Sequence, residues 1–143
     1  MHRKGVRMTF ELVLSGNPTT AQQKGAAIVN RQIHFYEKEK VRAQRREYQI
    51  LLKEFVPNKP LEGPLVLDIQ FLYPELKSKK MKTAIEPRIE APDLDNVAKL
   101  FIDAMADMKF FWNDSQIVDL HLTKFRIQGN REMKMKVRLE EMK

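Results

Sequence analysis

Four stretches in which apolar residues recur at every second position, separated by two with a helical apolar period, leave this chain few folds to choose from. Val6, Met8, Phe10, Leu12 and Leu14 alternate with Arg7, Thr9 and Glu11. Leu65, Leu67, Ile69, Phe71 and Tyr73 form a second row between Pro64 and Pro74. Val118, Leu120 and Leu122 alternate with Asp119, His121 and Thr123, and Met133, Met135, Val137 and Leu139 with Lys134, Lys136 and Arg138. A period of two puts every second side chain on one face, so each stretch reads as a strand burying that face. Residues 37–56 instead place Val41, Gln44, Tyr48, Leu51, Leu52 and Phe55 three or four apart, which predicts a helix ending at Pro57. Val97, Leu100, Phe101, Ala104, Met105 and Met108 predict a second helix, beginning near Asp95 or Asn96 and ending before Trp112. Residues 17–31 show no strong period and read as a loop carrying Lys24 and Arg31, followed by a short extended piece over 33–36. Gly129-Asn130 is a hairpin signal between the last two strands. The order strand, helix, strand, helix, strand, strand predicts an α/β fold, a single compact domain over residues 1–143 with a mixed β-sheet and two main helices packed on it.

Charge narrows the function. The chain carries 26 Lys and Arg against 19 Asp and Glu, a net charge of +7, which makes an anionic partner such as nucleic acid the natural expectation. The excess is uneven: residues 1–60 hold twelve basic against five acidic side chains, whereas 93–123 hold two against six. With no cysteine, disulfides, thiolate zinc sites and cysteine nucleophiles are excluded. There is no glycine-rich phosphate loop, His-Glu-x-x-His helix or Ser-His-Asp order. His34 and His121 lack the spacing of a zinc site and are expected to be structural, and Trp112 is expected to anchor the core with Phe110 and Phe111. No apolar run reaches membrane-spanning length, and Met1-His2-Arg3-Lys4 leads into an alternating segment rather than an apolar one, so a cytoplasmic protein away from membranes is expected.

The acidic cluster has a pattern of its own. Asp93 and Asp95 lie two apart just before the second helix, so in an extended segment both carboxylates point the same way and can share a cation. Lys99 follows Asp95 at helical spacing of four, and Asp103 continues that face. Asp114 comes from a separate segment, the loop feeding the third long strand, and a third carboxylate there would complete an open oxygen site of the kind magnesium prefers. A plainer reading also fits: Asp-x-Asp-Asn is a good helix-capping segment, and Lys99 a good partner for a helix-face ion pair. Upstream, Lys77, Lys79, Lys80 and Lys82 form a basic run that reads either as a solvated loop or as a clamp on backbone phosphates.

Pro92-Asp93-Leu94-Asp95-Asn96 with Lys99 and Asp103, then Trp112-Asn113-Asp114-Ser115-Gln116-Ile117-Val118, resembles the RusA family of Holliday-junction resolvases. The likeness reaches more weakly to the opening strand, to Tyr36 with the basic helix after it, and to Leu61-Glu62-Gly63-Pro64. It implies that Asp93, Asp95 and Asp114 bind Mg2+, with Mn2+ able to substitute, that Lys99 is the catalytic lysine, and that Asp103 matches a recurring acidic position. It implies further a compact α/β homodimer that binds branched DNA, four-way junctions above all, and makes paired symmetric nicks in recombination or repair. Members often have two consecutive acids in the second block, and here Asn113 stands where the first would be. Two rivals follow from the same residues: a flap- or fork-specific nuclease, and a non-catalytic nucleic-acid-binding protein on the same scaffold.

Overall fold

The structure, a computed structural model, describes residues 5–20, 24–29 and 31–142, with 24–29 and 33–37 described by backbone alone. The opening Met1-His2-Arg3-Lys4 and the side chains of Lys24, His34 and Tyr36 therefore lie outside the described residues. The elements in chain order are β1 (Arg7–Leu14), β2 (Lys24–Val29), β3 (Gln32–Glu37), α1 (Glu39–Leu52), β4 (Leu65–Tyr73), β5 (Ile85–Pro87), α2 (Leu94–Asp107), β6 (Ile117–Ile127) and β7 (Met133–Glu141).

Five strands form one mixed sheet in the order β1-β7-β4-β6-β5. Only β4 and β6 are parallel; the other neighbours are antiparallel. The register lines up side chains in rows across the sheet. One row is Met8, Leu139, Leu67 and Leu120, the next Phe10, Val137, Ile69 and Leu122, the next Leu12, Met135, Phe71 and Lys124. This is the apolar face predicted by the alternation, and α1 and α2 cover it through Val41, Tyr48, Leu52, Val97, Leu100, Phe101 and Met105. Tyr48 meets Phe101 edge to face at 5.0 Å between ring centroids, and Phe10 stacks on Phe55 at 4.6 Å. Burial pushes the Tyr48 hydroxyl far above its usual pKa.

Three expectations are corrected. Residues 17–31 contain a strand: β2 pairs antiparallel with β3 in a separate two-stranded sheet, and Gly25, Ala26 and Ala27 carry no alternation that would have announced it. The closing strands β6 and β7 are not a hairpin, because β4 lies between them. The Gly129-Asn130 turn instead steps over the end of β4: Gly129, at φ 77°, donates its N–H to Glu75 Oε2 at 2.9 Å, and the Asn130 carbonyl accepts the Glu75 N–H at 2.9 Å. The most apolar strand thereby has both edges paired. Finally, Val118 and Leu120 are 62% and 44% exposed rather than buried, since β5 pairs only with residues 125–127 and leaves the start of β6 at the sheet edge.

Helix α2 starts one or two residues earlier than expected, with extended Asp93 as its N-cap and the Val97 N–H on the Asp93 carbonyl at 3.0 Å. Its end is a Schellman closure, in which Phe110 N–H bonds Met105 O at 3.1 Å and Lys109 N–H bonds Ala106 O at 3.0 Å. The left-handed residue this requires is Lys109, at φ 67°. A side chain in that conformation costs about 1 kcal/mol relative to glycine, so Lys109→Gly is expected to raise unfolding free energy by up to ~1 kcal/mol in urea titrations, with an unchanged m-value.

Candidate active site

Helix α2 carries Asp95, Lys99 and Asp103 at successive spacings of four, a single surface stripe. The Lys99 ammonium leans toward the helix C-terminus, donating to Asp103 Oδ1 at 2.9 Å and to Asp114 Oδ2 at 3.1 Å. These two hydrogen bonds, the one to Asp103 the larger, hold the lysine above its usual pKa. Asp93 and Asp95 stand exposed at the start of the same helix. Asp93, though the N-cap residue, makes no side-chain capping bond, so its carboxylate is not engaged in holding the helix start. Among the described residues no three Asp, Glu or His side chains converge closely enough to grip one ion; the ammonium of Lys99 is the cation that joins Asp114 to helix α2. In kind, the donors suit a hard divalent cation: Asp93, Asp95 and Asp114 all present exposed carboxylate oxygens.

The loop holding Asp114 is built by its neighbours. Asp114–Gln116 is one 3-10 turn in a reciprocal capping box: Asn113 Oδ1 accepts the Ser115 N–H at 2.8 Å, and Gln116 Oε1 accepts the N–H groups of Trp112 and Asn113, both at 2.9 Å. Gln116 then anchors the turn, its Nε2 donating to the carbonyls of Leu61 at 2.9 Å and Gly63 at 3.1 Å. Residues 62 and 63 are held in turn by their N–H groups on Glu141 Oε2. The residue standing in place of a consecutive acid is thus a cap. Trp112 departs from expectation: Phe110 and Phe111 are fully buried, but Trp112 is 58% exposed. It borders a groove of about 250 Å³ with Arg45, Asp103, Asn113 and Asp114.

The loop before Asp93 is fixed from β6 by residues that no motif singled out. Lys124 occupies an apolar-face position at the edge of the sheet, and its Nζ donates to the carbonyls of Glu90 at 2.8 Å and Pro92 at 2.6 Å. Arg126, on the same face beside Tyr73, is 2% exposed and pairs with Glu90 Oε1 at 3.1 Å. Backbone hydrogen bonding within Glu90, followed by Arg126, lowers the Glu90 pKa to about 2. Arg88 stacks over Tyr73 and donates to the Ala91 carbonyl at 3.0 Å. The only available signal was two basic residues in the apolar phase of a strand.

Of the basic run, Lys79 lies 3.8 Å from Glu90, while Lys77 and Lys80 line an open groove of about 850 Å³ with Glu75, Gly129, Asn130 and Arg131. Lys82 is exposed, and buried Met81 roots the segment. Helix α1 offers less free charge than its composition suggested, because Arg42 and Arg46 pair with Glu39 at 2.8 and 2.9 Å and Arg45 with Asp107 at 3.2 Å. His121 is exposed at the edge strand, 2.9 Å from Asp119.

Two substitutions check this framework. Asn113→Ala removes the cap and is expected to cost about 1 kcal/mol in chemical denaturation, whereas Asn113→Asp, an equally good cap, stays near wild type. Lys124→Met leaves two carbonyls without their donor and is expected to cost about 1–3 kcal/mol and to speed hydrogen exchange over residues 88–95, with Lys124→Arg intermediate.

The chain was compared with known proteins. The family described as Endodeoxyribonuclease RusA matches residues 15–140. A Crossover junction endodeoxyribonuclease rusA of Lactococcus phage r1t is 34% identical over 131 residues, spanning 88% of this chain and 94% of the relative. An uncharacterized protein YqaN of Bacillus subtilis (strain 168) is 26% identical over 124 residues, 81% of this chain and 87% of its own length. With a family match over nearly the whole chain, and a phage relative sharing a third of its residues, this protein belongs to the RusA endodeoxyribonuclease family.

Proposed function

We propose that this protein is an endodeoxyribonuclease that resolves four-way DNA junctions by paired, symmetric hydrolysis of phosphodiester bonds, in recombination or repair in the cytoplasm. The observation carrying this reading is the Lys99 ammonium held between Asp103 and Asp114, on the helix whose start presents Asp93 and Asp95, in a chain of this family. No helix among the described residues is long and apolar enough to cross a membrane. Asp93, Asp95 and Asp114, which do not converge on their own, would be drawn together to hold Mg2+, or Mn2+ in its place, and the ion would supply a Lewis acid for the scissile phosphate and a water of lowered pKa. Lys99 supplies a fixed positive charge where negative charge accumulates on the phosphate oxygens, and its raised pKa keeps it protonated through neutral pH. Lys124 and Arg126 fix the entry loop, so the acids of α2 face the phosphate from a rigid support. Lys77, Lys79, Lys80 and Lys82 grip the DNA arms through the backbone, giving affinity without reading sequence. Two cuts related by symmetry call for a homodimer with one site per subunit.

The test uses labelled four-way, three-way and linear duplexes with Mg2+ or a chelator. Wild type is expected to cut the four-way junction in Mg2+ alone. Asp93→Asn, Asp95→Asn and Asp114→Asn are expected to cut at least about 100-fold more slowly while binding the junction as tightly or tighter, since less negative charge faces the phosphates. Lys79→Glu with Lys80→Glu is expected to weaken binding and flatten its salt dependence. Preference for flaps or three-way branches would move the substrate assignment, and an Asp114→Asn protein cutting at the wild-type rate would overturn the site.

A further inference from the structure

The chain has a single tryptophan, and the fold leaves it in the open. Phe110 and Phe111 are fully buried just before Trp112, and the Trp112 N–H is held on Gln116 Oε1 at 2.9 Å, yet the residue is 58% exposed. Its backbone is anchored while its indole faces solvent. A lone exposed aromatic residue needs no explanation. The company of this one does. Trp112 stands two residues before Asp114, at most about 7 Å along the chain, which is the length of about two base steps on one DNA strand. The bases flanking a phosphate cut at Asp114 are therefore within reach of the indole.

The groove of about 250 Å³ that Trp112 shares with Asp114 suits a base better than a phosphate. Asp103, Asp107 and Asp114 line it, and Arg45, the guanidinium among them, is bound to Asp107 at 3.2 Å. Carboxylates repel a phosphate but accept hydrogen bonds from the exocyclic amino groups of bases. Outside the groove, the Lys109 ammonium lies over the indole, 5.8 Å from the ring centroid, a positive charge for the backbone of a nucleotide stacked there. In linear duplex each base is covered by its neighbours, and freeing a face costs stacking and pairing. At a branch that cost is lowest, because stacking is already interrupted.

We propose that Trp112 stacks on the base of a nucleotide beside the scissile phosphate, one that a branch leaves unstacked, and so makes cutting selective for branched DNA. The inference rests on the junction-nuclease reading and names the residue that reads the branch. Stacking of this kind is indifferent to base identity, since every base has a π-face. Trp112 is thus a selector of DNA structure rather than of sequence.

Because the chain has one tryptophan, its fluorescence reports this contact directly. In a chelator, four-way junction DNA is expected to quench Trp112 emission in the wild-type protein, while linear duplex at the same bound fraction leaves it unchanged. In Mg2+, Trp112→Ala is expected to cut the four-way junction about 5- to 150-fold more slowly, the worth of one base–aromatic stack, and Trp112→Phe to keep most of the wild-type rate. An abasic nucleotide is then moved through the two positions on either side of the cut. At one of them it is expected to slow wild type by that same factor and leave Trp112→Ala unmoved, the coupling that marks direct contact. Emission that bound junction DNA does not change, including that of an indole already sheltered in the free protein, gives Trp112 to a protein contact and overturns the stack. Equal quenching by linear duplex overturns the selectivity. Junctions cut by Trp112→Ala at the wild-type rate, with emission unmoved, refute the stack and leave the nuclease intact. Quenching by junctions that wild type does not cut in Mg2+ refutes the nuclease and leaves the stack.

Discussion

The parallel pairing of β4 with β6 is the constraint on which the site depends. Parallel strands cannot be joined by a tight turn, so the chain leaving β4 must return along the sheet before β6 begins. Here it does so through β5 and then α2, whose apolar stripe of Val97, Leu100, Phe101, Ala104 and Met105 seals it over Leu67, Ile69 and Phe71. The acidic motif opens the helix of this crossover, and Asp114 lies where the crossover ends. Lys99, midway along, spans to Asp114 because the left-handed turn at Lys109 folds the chain back after the helix. The separation of fifteen residues between Lys99 and Asp114 is therefore closed by topology rather than by local spacing.

The charges are distributed to match. On α1, where basic residues are most numerous, Glu39 and Asp107 neutralise much of the surface by exposed pairs that contribute little to stability. Buried Arg126 is different, because a guanidinium removed from water requires a partner, and Glu90 supplies it. That pair and the two carbonyls on Lys124 convert a loop containing no regular structure into a rigid entry to α2. Lys79, close to the same Glu90, sets the basic run beside the loop that leads to Asp93.

Gln116 shows how a single carboxamide organises the loop that carries Asp114. One carboxamide holds two backbone N–H groups of the Trp112-Asn113 segment and two carbonyls of the Leu61-Gly63 segment. It satisfies polar groups that burial would otherwise penalise, and in doing so sets the position of Asp114. Asn113 completes the cap and turns its oxygen to Ser115 rather than toward Lys99.

Strand and helix identity were legible in the chain wherever one face is buried, because burial imposes a period of two or 3.6 on apolar side chains. This is why β1, β4, β7, α1 and α2 were read nearly to their ends. The acidic residues stood out as well, since their spacing is local to one helix start and one loop, but how they sit in space was not legible: among the described residues no three converge, and Asp114 joins α2 through Lys99. Alternation says which face of a strand is buried but not which neighbour it has, so the place of β4 between β6 and β7 and the exposed edge at Val118 and Leu120 could not be read from it. The small residues of β2 left no period to detect. Lys124 and Arg126 looked like the end of an apolar row, because only the folded sheet brings the loop from Arg88 to Pro92 over them and turns two solitary charges into its anchors. Local spacing is a property of the sequence, whereas partners across the sheet exist only once long-range pairing has chosen the order of its strands.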